Sequence, residues 1–159
     1  MCMKRLVHSI ETRVFEEDAS CISDIYDSFS GLLPIDFDKE KIVVQHKQAV
    51  GFGQNIIHIL SMNIHKYGHI WMLIQNIFQN LSRRDVKKIC EQRDLRLDDH
   101  GHFFIRLDKK LLLDGVYKLT EQGNCFHFKI KMAAFPSTRE NAMKSLEELL
   151  GKLGCSITK

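Results

Sequence analysis

The stretch CFHFKIKM, residues 125–132, decides the fold of this chain. Apolar and polar residues alternate over the whole stretch: Phe126, Phe128, Ile130 and Met132 alternate with Cys125, His127, Lys129 and Lys131. Because successive side chains of a β-strand point to opposite faces, the alternation predicts a strand with one buried and one polar face. Burial on one face only is typical of an antiparallel sheet whose other face stays open.

A second stretch, DDHGHFFIRLDKK at residues 98–110, repeats this pattern. We predict that Phe103, Ile105 and Leu107 are buried, and that His102, Phe104 and Arg106 share the open face. The letters DDHG suit a tight hairpin turn, because Asp and Gly adopt the backbone conformations that turns require. A short strand near Leu95 would precede this turn, and a second hairpin is predicted around EQGN, residues 121–124.

The remaining elements follow from the same periodicities. Strands are predicted at 5–15, 39–47 and 54–64, and helices at 19–33, 66–81, 83–94 and from Ser137 to about Lys152. Ser82 and Ser137 are predicted to cap the helices that follow them. His8 and His58 lie among apolar strand positions, which predicts hydrogen-bonded histidines in the core.

The order of these elements predicts an α+β fold. Hairpin-like connections dominate, so we expect a two-layer sandwich in which helices pack on one face of a largely antiparallel sheet. The chain has 159 residues and shows no repeat or linker. We therefore expect a single domain over 1–159, with its core at about 5–153.

Charge is distributed unevenly along the chain. The net charge is +3, but residues 1–80 carry −2 and residues 81–159 carry +5. A basic second half indicates where an acidic partner such as a nucleic acid would bind. No apolar run is long enough for a membrane span, and the first residues lack the apolar region of a signal peptide. These features favour a cytoplasmic protein.

Candidate sites other than a basic surface are weak. The five cysteines are far apart and form no CxxC pair, so we expect free thiols instead of a disulfide framework or zinc site. His65 and His69 have the i, i+4 spacing of a zinc helix, but the HExxH glutamate is absent. No nucleophile, base and orienting group can be assembled, and we expect no cofactor or metal and no enzymatic activity.

Several strings resemble an archaeal family described as predicted RNA-binding proteins and predicted exosome subunits. The resemblance covers about residues 5–153 and is carried by DDHGHFFIRLDKK with the following Gly115, by AVGFGQNIIHIL, by VHSIETRVF and by GLLP. Arg106-Leu107-Asp108-Lys109 matches the end of the family's short strand, with Lys110 where glutamine is common. The family implies an α+β sandwich similar to the ribosomal protein that binds 5S ribosomal RNA.

We therefore predict a non-catalytic RNA-binding protein of RNA processing or ribosome maturation. Cations would contact phosphates while an exposed aromatic ring stacks on a base. The residues expected to contact RNA are Phe104, Arg106, Lys109, Lys110, His127, Lys129 and Lys131 around the sheet, and Arg83, Arg84, Lys87 and Lys88 on the charged helix. Arg5 and Arg13 are further candidates for the sheet face. The alternatives are a protein–protein interaction module, as in a homodimer, and, third, a metal-dependent hydrolase.

Overall fold

A five-stranded antiparallel sheet is the centre of the computed structural model, which describes residues 5–155. Its strands lie in the order β2-β3-β1-β5-β4. Their bounds are β1 Val7–Glu16, β2 Val44–Val50, β3 Ile56–Ile64, β4 His102–Asp108 and β5 Cys125–Met132. The predicted α+β fold is confirmed, because the strands are antiparallel and helices pack on one face of the sheet.

The helices are α1 Ile22–Leu32, α2 Phe37–Glu40, α3 Tyr67–Asn80, α4 Arg83–Glu91, α5 Arg93–Arg96, α6 Lys109–Leu113 and α7 Arg139–Lys152. All except the short α2 and α5 bury side chains in the core on the apolar face of the sheet. Helix α3 contacts β1, α7 contacts β5, and α1 contacts α3. In the part of the chain described, no helix has the length and apolar character needed to cross a membrane.

The core consists of cross-strand rows of large apolar side chains. Val14 is paired with Leu60 on one side and with Phe126 on the other, and Phe126 is in turn paired with Leu107. All four side chains are fully buried. Burying a side chain of this size contributes about 1.5–3 kcal/mol, so such rows fix the strand register.

Two predicted strand pairings are wrong. The chain near Leu95 forms the short helix α5 instead of a strand, and only Leu97 makes a bridge to Phe103. The second hairpin does not form, because Leu119 pairs with Leu107 of β4 and not with β5. The segment before β5 therefore lies along the outer edge of β4.

Smaller corrections concern a histidine and a helix cap. His8 is exposed and not in the core, because a register shift between Val7 and Ser9 turns it outward. The prediction for His58 is confirmed: it is buried, and its Nδ1 lies 2.8 Å from Nε2 of His46. Helix α7 is capped by Thr138, which accepts from the Asn141 N–H, and not by Ser137. Ser82 caps α4 as predicted.

The expectation of free thiols is wrong for two cysteines. Cys90 of α4 and Cys155, just after α7, form a disulfide although 65 positions separate them. Their Cα atoms are 6.3 Å apart, because the end of α7 packs beside α4. Cys21 and the buried Cys125 are free thiols, whereas Cys2 lies outside the described residues. Pairing of this kind depends on tertiary packing, which sequence spacing does not contain.

Candidate nucleic-acid interface

Basic and aromatic side chains lie together on the open face of the sheet. In adjacent cross-strand positions, Arg106 is opposite His127, Phe104 is opposite Lys129, and His102 is opposite Lys131. On the inner neighbour, β1, Arg13 is opposite His127 and Glu11 is opposite Lys129. We call this surface the basic sheet face; it comprises Arg13, His102, Phe104, Arg106, His127, Lys129 and Lys131. The alternation predicted for β4 and β5 is confirmed.

The turn before β4 fixes one end of this face. Oδ1 of Asp98 accepts hydrogen bonds from the backbone N–H groups of His100, at 2.9 Å, and His102, at 2.8 Å. Burial raises the pKa of Asp98, but these hydrogen bonds and the nearby His102 outweigh burial and leave the pKa below its usual value. Gly101 has φ +79°, a left-handed conformation that favours glycine. The DDHG stretch is therefore a turn, as predicted.

Lys109 is not on the basic sheet face. Oδ1 of Asp108 accepts from the Leu111 N–H at 2.9 Å and caps α6, so the chain turns sharply after β4. This turn directs the Lys109 ammonium inward, where its Nζ lies 3.2 Å from Oε1 of Glu16. Lys109 is buried, which disagrees with the surface role expected for it. Its neighbour Lys110 is exposed.

Cations outnumber carboxylates here: Arg13, Arg106, Lys129 and Lys131 are accompanied by Glu11, which projects from the same side of β1. Oε1 of Glu11 lies 2.7 Å from Nη2 of Arg13. Burial lowers the pKa of His127, and the cationic Arg106 and Arg13 lower it further. Burial likewise lowers the pKa of His102, more than Asp98 raises it. Both imidazoles are therefore neutral at pH 7, and both can donate and accept hydrogen bonds.

The cations of α4 lie on different sides of that helix. Nζ of Lys88 is 3.9 Å from Glu121, whose backbone oxygen also accepts from Arg106 at 3.3 Å. Lys88 thus borders the basic sheet face. Arg83 instead lines a groove that also includes Cys90 and Cys155. The two remaining cations of α4 are Lys87, 3.9 Å from Glu91, and the exposed Arg84, which lies in a groove with Lys118.

A groove that the sequence did not predict lies between α5 and the sheet. We call it the α5 groove; it is lined by Leu95, Arg96, Phe104, Arg106, Glu121 and His127 and has a volume of about 380 Å³. A strand near Leu95, as predicted from the sequence, would not have formed this groove, because one of its sides is the helix α5. The signal in the sequence is the absence of Gly or Pro between residues 83 and 96, which allows helical structure to continue toward β4.

Metal-ligand geometry is not present at the histidines considered from the sequence. His65 falls between β3 and α3, and Nε2 of His69 is 3.4 Å from a carboxylate oxygen of Glu40. Across residues 5–155, no group of three His, Cys, Asp or Glu side chains is arranged to hold a metal ion. Arg5, a further candidate for contacting RNA, donates hydrogen bonds to the carbonyl oxygens of Val7, His8 and His65.

Known proteins share this sequence pattern and this fold. A family model described as RNA binding matches residues 9–132. The RNA-binding protein PAB1135 of Pyrococcus abyssi is 26% identical over 150 residues, which are 94% of this chain and 97% of the relative.

Solved structures extend the likeness. Mth689, a DUF54 protein of Methanothermobacter thermautotrophicus, has a TM-score of 0.73 at 21% identity and covers 91% of this chain and 98% of its own. AF2318 of Archaeoglobus fulgidus, also assigned to DUF54, has a TM-score of 0.77 at 20% identity and covers 90% of this chain and 99% of its own. At these identities the structures establish the fold.

Proposed function

Because this chain belongs to the family whose model is described as RNA binding, we propose that it binds RNA through the basic sheet face. The observation that supports this site most directly is the strand register. It brings Arg13, His127 and Arg106 into one row across three neighbouring strands, with Phe104 and Lys129 in the next. An open sheet carrying cations and a partly exposed ring is a surface on which RNA phosphates and bases both find contacts.

The cations of this face are suited to phosphate. Arg106 is exposed, and the guanidinium of Arg13 is 45% exposed. Lys129 and Lys131 are partly exposed on the same strand, and Nζ of Lys131 also donates to the carbonyl oxygen of His100. Each cation that neutralises a phosphate releases a condensed counterion, so the affinity falls with salt by about 0.7 in log–log slope per contact on a single strand.

We propose that the surface continues onto α4 through Lys88 and Arg84, and onto α6 through Lys110. Lys88 is supported best, because it shares Glu121 with Arg96 and Arg106. Lys87 lies next to Lys88 on the same exposed helix and adds to the local field. Arg83 is supported least, because it lines a groove with Cys90 and Cys155 and has no recorded contact with the basic sheet face among the described residues. Lys109 is left out because it is buried.

Salt titration by filter binding tests this proposal. Wild-type protein should retain single-stranded RNA at low salt, and the logarithm of the affinity should fall linearly with the logarithm of the salt concentration. No retention at low salt would contradict RNA binding.

We further propose that the role is non-catalytic, that it serves RNA processing or ribosome maturation, and that the protein acts in the cytoplasm. The resemblance of DDHGHFFIRLDKK to a family described as predicted exosome subunits supports the process.

The tip of the β2–β3 hairpin favours a second candidate, self-association. Phe52 is fully exposed at the tip, with Val50 and Ile56 exposed beside it. Strand β2 is an edge strand of the sheet, so one of its sides has no neighbouring strand among the described residues. Pairing of β2 with β2 of a second copy would cover both. Sedimentation at several protein concentrations tests this: a dimer that Phe52→Asp dissociates supports it, and a monomer throughout overturns it.

A further inference from the structure

We infer that the α5 groove holds one unpaired base of a single-stranded RNA, stacked on the ring of Phe104. This inference rests on the proposed function, since it specifies how the same surface would recognise its RNA. It goes beyond the proposed function because phosphate contacts alone would not distinguish paired RNA from unpaired RNA. A base-holding groove requires a strand whose bases are free to turn out.

Phe104 is the first observation. It projects from the open face of β4, where the core cannot cover it, and it is only partly buried. Its ring lies between two imidazoles, with centroids 6.3 Å from His102 and 5.3 Å from His127, tilted by 40° and 35°. The three rings form a continuous aromatic row flanked by Lys129 and Arg106. Bases stack on such rings with little dependence on sequence, while nearby cations contact the backbone.

The shape of the groove is the second observation. Opposite the sheet, it is bordered by Leu95, an apolar side chain of α5 that is 86% exposed. Apolar side chains of β4 and α5 therefore line the groove together with polar groups of Gln92, Arg106, Glu121 and His127. A nucleobase likewise combines apolar faces with hydrogen-bonding edges. A volume of about 380 Å³ is at the lower end of the range for small-molecule sites.

Arg96 makes the groove rigid. Its side chain is 9% exposed; Nη2 donates to Oε1 of Gln92 at 2.8 Å and to Oε1 of Glu121 at 3.0 Å. Nη1 donates to the carbonyl oxygen of Phe104 at 3.4 Å. This buried cation thus links α5, the loop at Glu121 and the backbone of β4. Its Nε is buried and has no hydrogen-bond partner among the described residues. A buried polar group without a partner lowers stability, and this one lies at the groove wall.

Fluorescence anisotropy with three labelled RNAs tests the inference. The probes are a short mixed-sequence single strand, the same strand with abasic ribose in place of its bases, and a duplex of equal length. Wild-type protein should bind the base-bearing strand more tightly than the abasic strand or the duplex. Phe104→Ala should weaken binding of the base-bearing strand by about 5- to 150-fold, the range for losing one stacked base, and leave binding of the abasic strand almost unchanged.

Two controls complete the experiment. Phe104→Tyr keeps a ring and should restore base-dependent binding, even if Phe104→Ala is less stable. Phe135→Ala removes another exposed phenylalanine, in the loop between β5 and α7, and should change neither affinity. Equal affinity of the wild type for base-bearing and abasic strands, or no effect of Phe104→Ala, overturns the inference while RNA binding stands. No binding to any of the three RNAs at low salt overturns the proposed function as well.

Discussion

Nζ of Lys109 lies 3.2 Å from Oε1 of Glu16 and 3.0 Å from the carbonyl oxygen of Phe15, so it joins the start of α6 to the end of β1. The side chains of Lys109 and Glu16 are only 11% and 12% exposed. A cation held in this way is unavailable to a phosphate. Lys109 therefore has a structural role, although it follows directly after the strand that carries Arg106.

The first prediction concerns this ion pair. Lys109→Ala should lower the free energy of unfolding by about 3 kcal/mol, because it leaves the carboxylate of Glu16 buried without its partner. Urea denaturation measures this change. The matched control is Lys110→Ala, the exposed neighbour, which should change stability by less than about 0.5 kcal/mol. Equal effects of the two substitutions would show that Lys109 is not structural.

The second prediction concerns the phosphate contacts. Replacing Arg106, Lys129 and Lys131 together by alanine should reduce the salt slope of RNA binding by about 2, the value for three contacts on a single strand. Filter-binding titrations at several salt concentrations measure the slope. A control triple variant, Lys39→Ala with Lys66→Ala and Lys152→Ala, removes the same charge from other exposed positions and should keep the wild-type slope. An unchanged slope in the first triple variant would remove the basic sheet face as the site.

The third prediction compares two cations of α4. Lys88→Ala should weaken RNA binding more than Arg83→Ala, because Lys88 contacts Glu121 next to Arg106, whereas Arg83 lines a groove with Cys90 and Cys155. Both side chains are exposed and each substitution removes one charge, so net charge does not distinguish them. Anisotropy titrations at one fixed salt concentration give the ranking. A larger effect of Arg83→Ala would place the RNA on the opposite side of α4.

The fourth prediction concerns pH and the imidazole of His127. Burial lowers the pKa of this imidazole below the ordinary 6.5, and the cations Arg106, Arg13 and Lys129 lower it further. The carboxylate of Glu11 raises the pKa but does not cancel the decrease. The unfolded chain therefore binds this proton more readily, so the free protein should lose stability as pH falls through about 6.5. A bound phosphate favours the charged imidazole, so RNA affinity should instead rise over the same interval.

Two measurements separate these opposite trends. Thermal melts of the free protein and anisotropy titrations with RNA are each repeated at about pH 7.5, 6.5 and 5.5, the interval in which histidine titrates. His127→Gln keeps a polar side chain without the titration, so it should flatten most of the rise in affinity. A wild-type affinity that is independent of pH would show that no phosphate lies near this imidazole.

The fifth prediction concerns the turn before β4. Gly101→Ala should destabilise the protein by about 2 kcal/mol, because φ is +79° and the new Cβ would lie 3.3 Å from Cβ of Ala142 in α7. Gly115→Ala is the matched control: φ is +82°, but no atom lies within 4 Å of the new Cβ. It should cost about 1 kcal/mol from the backbone alone. Equal losses would mean that the turn does not pack against α7.

Alternation allowed β1, β4 and β5 to be predicted, because each buries one face against helices and exposes the other. The same rule placed Phe104, Arg106, His127 and Lys129 on the open face, where they lie. Periodicity was also sufficient for α1, α3 and α7, whose apolar stripes are buried. These elements depend on local pattern and on one hydrophobic face, both of which are present in the sequence.

The features that were missed depend on contacts between distant segments. Alternation does not specify which edge a strand joins, so Leu119 was assigned to β5 although it pairs with β4. A one-residue shift in β1 turned His8 outward. The helical turn after Asp108 buried Lys109, and the approach of α7 to α4 joined Cys90 to Cys155. Each outcome follows from tertiary packing that overrides the local pattern.

Strand β1 precedes the other four strands in the sequence and is the central strand of the sheet. Val14 pairs with Leu60 on one side and with Phe126 on the other, and Phe126 follows it by 112 positions in the sequence. Closing such distant contacts is slow, and a chain still on the ribosome holds β1, β2 and β3 without β5. The surface proposed to bind RNA therefore comes into existence only after β5 has been synthesised and has paired with β1.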